Sequence, residues 1–87
     1  TLGDPELERE VLGLFLSHAG AYLHEIAAAR GDLARKRAGH ALKGAARGIG
    51  AWQLADLAEA VESGRAGDVA GLEAEIARVC DYIRSLR

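Results

Sequence analysis

The chain of 87 residues is long enough for one domain and too short for two. A unit of this size withdraws roughly 60 to 65% of its unfolded surface from water on folding, which builds a core but leaves little room for a deep substrate cavity. A net charge of −2 with only 11 basic residues argues against a dedicated nucleic-acid binder, whose phosphate contacts need a strongly positive chain.

Of the apolar residues, 18 are Ala and 12 are Leu, against 4 Val and 4 Ile. That balance favours helix over strand. Cys80 stands alone, so neither an internal disulfide nor a thiolate metal cluster can form, and a reducing compartment is expected. No apolar run approaches the roughly 20 residues needed to span a bilayer. The opening residues are acidic, the wrong sign for a signal or transit peptide. The sequence therefore predicts a cytoplasmic chain without a membrane partner. It starts at Thr1 rather than Met, which fits a piece cut from a longer protein.

The first helix is expected to start at Asp4-Pro5-Glu6, with Asp4 as cap, Pro5 at the first position, and Glu6 and Glu8 complementing the dipole. Its apolar stripe runs through Leu7, Val11, Leu14, Phe15, Tyr22 and Ile26, widened by Leu12, Leu16 and Leu23, until Gly31 offers a stop. Asp32 reads as the cap of a second helix that reaches about Gly48. Gly48-Ile49-Gly50 then turns the chain into a third helix from Trp52 to Glu62, with Leu54, Leu57, Ala58 and Val61 on one face and Ser63-Gly64 as its end. Asp68 is positioned to cap a fourth helix, in which Val69, Leu72, Ile76, Val79, Ile83 and Leu86 form an inward seam. Four helices with short turns predict an all-α fold, an antiparallel up-down four-helix bundle over residues 1–87.

On a helical wheel of about 100° per residue, with Leu33 at zero, Ala34, Ala38, Ala41, Leu42, Ala45 and Ile49 fall between about 80 and 180°. This arc is taken as the core face. Lys36, His40, Lys43 and Arg47 gather on the opposite side at about 280 to 340°, so His40 should stand in water within a basic stripe. Residues 30–47 hold six basic groups and one acidic group, net +5, while the rest of the chain carries −7. Such a concentration attracts an anionic partner, although a solvated face is the plainer explanation of the charges alone. Gly39, Gly44 and Gly48 tip the balance, because an interior glycine costs a helix about 1 kcal/mol relative to Ala. They leave the imidazole clear of bulky neighbours, so that another protein's backbone can approach. Close helix packing is the competing explanation.

The remaining candidates carry less. His18 and His24 are six residues apart, which does not bring two metal ligands onto one helix face as a spacing of four would, so no metal site is expected. His18 reads as a partly buried, satisfied histidine beside Phe15 and Tyr22. Trp52 reads as a packing or capping residue and Cys80 as a small core hydrophobe.

The string His40-Ala41-Leu42-Lys43-Gly44-Ala45-Ala46-Arg47-Gly48-Ile49-Gly50-Ala51 resembles the signature of histidine phosphotransfer domains, the four-helix carriers of two-component phosphorelays. The spacing of Leu54, Leu57 and Glu62 extends the likeness; the first and last helices match in length and pattern only. The resemblance implies that His40 is the phosphoacceptor and that Lys43 stabilises the charge of the phosphoryl group. Glu62 would orient the imidazole through its other ring nitrogen, although a solvated charge is an equally good reading of that residue. Lys36, Gly39, Gly44 and Arg47 would meet the partner, with Arg47 open to a second reading as a phosphate neighbour. The implied partners are response regulator receiver domains and an upstream hybrid histidine kinase. The chain would be a monomeric phosphocarrier rather than an enzyme, with no cofactor of its own and with Mg²⁺ supplied by the partner receiver. The competing expectation is a helical protein interaction module that docks an acidic partner on the basic face without phosphotransfer.

Overall fold

The computed structural model describes residues 4–65 and 69–86. Among them are four helices: α1 over Pro5–Ala28, α2 over Asp32–Gly48, α3 over Trp52–Glu62 and α4 over Val69–Ser85. Each packs against its neighbours in chain order and α4 closes against α1, which makes an antiparallel four-helix bundle. The α2–α3 contact is the most extensive, and it builds the candidate site.

Asp4 caps α1 as its residue type suggests: Oδ1 accepts from the backbone N–H groups of Glu6 at 3.1 Å and Leu7 at 3.2 Å. The other end of α1 differs from the sequence expectation. The helix stops at Ala28 and the chain turns extended at Ala29, so Gly31 does not end α1. Its φ of +86° makes it the N-cap of α2, a conformation that glycine adopts at little cost. Asp32 is accordingly inside α2 rather than capping it, and its carboxylate lies 3.4 Å from the Arg35 guanidinium. The Asp68 cap lies outside the described residues.

Two turns share one design. At the end of α2, Gly50 has φ +75°; its N–H donates to Arg47 O at 3.1 Å and the Ala51 N–H donates to Ala46 O at 2.9 Å. At the end of α3, Gly64 also has φ +75°, its N–H donates to Val61 O at 3.1 Å, and the Arg65 N–H donates to Ala60 O at 2.9 Å. Both are Schellman motifs, in which a left-handed glycine lets two backbone N–H groups satisfy the last carbonyls of the helix.

The core is a layer of Leu42, Leu54 and Leu72, with Ala46 and Ala58 filling the narrow space between helices, and Phe15, Ala19, Ile26, Ile76, Val79, Cys80 and Ile83 around it. Burial pushes the Cys80 thiol up from its ordinary value, as suits a small hydrophobe. Several apolar residues assigned inward by periodicity face water instead. Leu14 and Leu86 are more than half exposed, and Leu57 lies at the rim while Ala55 takes the inward place. Trp52, read as a packing or capping residue, is 63% exposed at the first position of α3. Leu86 lies one residue beyond the end of α4, past the reach of the seam. His18 is exposed, though satisfied, with Nδ1 2.8 Å from Leu14 O.

Candidate functional site

The inward face of α2 is centred on Ala38, Gly39, Leu42 and Ala46. Ala34 and Ala41, expected in the core, are exposed. The core face is thus centred about 65° from the expected arc, because alanine has too little apolar surface to mark a core position by itself. His40 stays on the outer side after this correction. Its side chain is 69% exposed.

Gly39 occupies a different place from the one its neighbour suggested. It is buried, and a Cβ placed on it would lie 2.7 Å from Glu62 N and 3.0 Å from both Ala58 O and Glu62 Cα. Gly39 therefore faces α3, not an incoming partner. Gly44 does the reverse: it is exposed, and a Cβ there would meet nothing within 4 Å. Lys36 and Arg47 are exposed on α2, so that His40 is flanked along the helix by two cations and a bare stretch of backbone.

The antiparallel pairing of α2 and α3 brings the last residue of α3 beside the middle of α2. His40 Nδ1 lies 2.8 Å from Glu62 Oε2, and Lys43 Nζ lies 2.6 Å from Glu62 Oε1. Lys43 and Glu62 are both largely covered, with side chains 14% and 16% exposed. Oε1 is fully shielded from solvent, and the Lys43 ammonium is its counter-charge. The hydrogen bond from Lys43 is the largest influence holding the Glu62 carboxyl below its ordinary range; burial pushes the other way and the His40 contact adds to the lowering. An ionised carboxylate only accepts hydrogen bonds. The proton of a neutral His40 ring therefore belongs on Nδ1, which donates to Oε2, and the lone pair is left on Nε2.

The Lys43 ammonium, one helical turn from His40, is engaged with Glu62. Around this pair lies a shallow surface depression lined by Lys36, Lys43, Glu59, Glu62 and Ser63. Glu59 was not singled out by the sequence. It sits on α3 with its carboxylate 3.8 Å from the Arg65 guanidinium, and only the i, i+3 spacing from Glu62 could have suggested it.

What this arrangement can do is limited and specific: it offers one oriented imidazole nitrogen to a partner, on a rigid helix, beside cations. Among curated proteins and among solved structures no match was found. A family model described as the Hpt domain matches residues 10–87, a span that takes in all of α2, α3 and α4 and most of α1. The chain belongs to the Hpt domain family, the histidine phosphotransfer domains that carry phosphoryl groups in phosphorelays and work with receiver domains and histidine kinases.

Proposed function

We propose that His40 is the phosphoacceptor and that its Nε2 takes the phosphoryl group from the aspartyl phosphate of one receiver domain and gives it to the aspartate of another. The carrying observation is the hydrogen bond from Nδ1 to Glu62 on a ring that otherwise faces water. In the forward step the Nε2 lone pair forms the N–P bond while the acyl P–O bond breaks, and the receiver's aspartate leaves as a carboxylate. The ring gains positive character, which the Glu62 carboxylate balances through the hydrogen bond it already accepts from Nδ1–H. Onward transfer is the same step in reverse, with the carboxylate of a second receiver attacking phosphorus and the neutral imidazole leaving.

A phosphoryl group in flight spreads charge over its oxygens, and positioning plus electrostatic stabilisation supply most of the catalysis. Lys43 serves first by keeping Glu62 ionised and in place, and its positive charge lies one helical turn from the reacting nitrogen. Lys36 and Arg47 attract the acidic face of a receiver, and Gly44 leaves room for its backbone. Mg²⁺ would be held by the receiver's own acidic residues and would supply further neutralisation of the phosphoryl charge. The chain itself works as a single monomeric carrier domain of the cytoplasm, without a cofactor and without independent turnover, downstream of a hybrid histidine kinase.

Incubating the chain with a phosphorylated receiver and Mg²⁺ tests the reading. An acid-labile, alkali-stable label is expected on the wild type and none on His40→Gln, with both proteins folded because the ring lies outside the core. A label retained by His40→Gln would refute it.

A further inference from the structure

The tether between His40 and Glu62 depends on how near the backbones of α2 and α3 approach, and one residue governs that approach. Of the three glycines of α2, Gly44 and Gly48 have open space where a Cβ would stand, and Gly39 alone would meet another atom within 4 Å. The three nearest atoms it would meet are all backbone, two of them in Glu62 itself. A backbone atom cannot swing aside as a side-chain tip can, so a methyl group at residue 39 displaces the helices or tilts the end of α3. We infer that Gly39 is a positioning residue for phosphotransfer: by presenting bare backbone to α3 it lets the Glu62 carboxylate reach His40 Nδ1 and Lys43 Nζ at once.

Three observations converge on this assignment. Gly39 is adjacent in sequence to His40, so any displacement at one is felt by the other. Two of the three nearest atoms belong to Glu62, the residue that holds the imidazole. An interior glycine costs helix stability, and here the cost is offset by a contact that no other residue permits. Gly39 touches neither the phosphoryl group nor the receiver; it acts through Glu62. The inference rests on His40 as phosphoacceptor and adds to that reading the device by which the ring is aimed.

The test uses Gly39→Ala, Glu62→Ala and the double variant in the 87-residue chain, read two ways. Ring ¹⁵N shifts of His40 report which nitrogen carries the proton, and transfer from a phosphorylated receiver with Mg²⁺ reports rate. Gly39→Ala is expected to lose the fixed Nδ1–H tautomer and to transfer about ten-fold or more slowly, since misplacing a reacting group by about 1 Å costs on the order of 100-fold. The double variant is expected to be no slower than Glu62→Ala alone, because residues that act through one contact are not additive. Ala46→Val, which crowds the same helix away from the site, is expected to lower the melting temperature and leave the tautomer unchanged. If Gly39→Ala is too unstable in buffer, it is read in sucrose, which favours the compact state.

A Gly39→Ala chain with the wild-type tautomer and rate overturns the inference, as does a double variant whose losses multiply. Neither result touches the phosphoacceptor reading, which falls only if His40→Gln still takes up label.

Discussion

A carboxylate with a different partner on each oxygen is constrained in position and in protonation, and Glu62 is such a group. Removing one partner should release it. Lys43→Ala is expected to raise the Glu62 pKa, because the Lys43 hydrogen bond is the largest influence lowering it and burial would then act with less opposition. The carboxyl ¹³C titration of Glu62 measures this directly. Transfer should slow without stopping, since Nε2 remains in place; an unmoved Glu62 titration would mean that the ion pair is not populated in solution. At this scale the sequence was informative about residue types and silent about one direction. His40, Lys43 and Glu62 were candidates through the resemblance, and the structure brings the three side chains together. The burial of Gly39 was not, because whether a glycine faces a neighbouring helix or an incoming protein depends on the register of two helices, which one sequence does not encode in any local pattern.

Element boundaries followed local chemistry where that chemistry was unambiguous. Trp52–Glu62 came out as read from the flanking glycines, and the Asp4-Pro5 start held because capping needs only adjacent residues. Gly31 and Asp32 were misassigned, the glycine as the stop of α1 and the aspartate as the cap of α2, because either residue type can cap and backbone geometry places the glycine there. The inward face of α2 was misplaced because its alanines carry too little apolar area to distinguish core from rim, whereas the leucine, isoleucine and valine seam of α4 was legible from Leu72 to Ile83. The two kinds of glycine make opposite predictions. Gly64 has φ +75° with open space where a Cβ would stand, so Gly64→Ala should cost about 1–2 kcal/mol through backbone strain alone. Gly20 lies within α1, also in open space, and Gly20→Ala should stabilise by about 0.5–1 kcal/mol. Urea unfolding of the two variants checks both; shifts of the same sign would contradict the assigned geometry.

The bundle extends 39 × 19 × 18 Å, and its up-down order sets the end of α3 against the middle of α2, so the site is a consequence of topology. Linkage to stability follows. The Glu62 carboxyl is lowered in the folded state from a reference of 4.5, so its contribution is fully present above pH 4.5 and is lost as the pH falls through the folded value. Glu62→Gln is therefore expected to flatten the acid limb of the stability profile below pH 4.5, measured by thermal unfolding; an equally steep limb would show that Lys43 and His40 do not hold the charge. In the proposed reaction Glu62 accepts a hydrogen bond from Nδ1–H, which fixes the proton on Nδ1 and leaves Nε2 to react. Combined ³¹P and ¹⁵N NMR on the phosphorylated chain decides the point: a phosphorus–nitrogen bond at Nε2 of His40 is expected, and a phosphoryl group on Nδ1, or on any other residue, would overturn it.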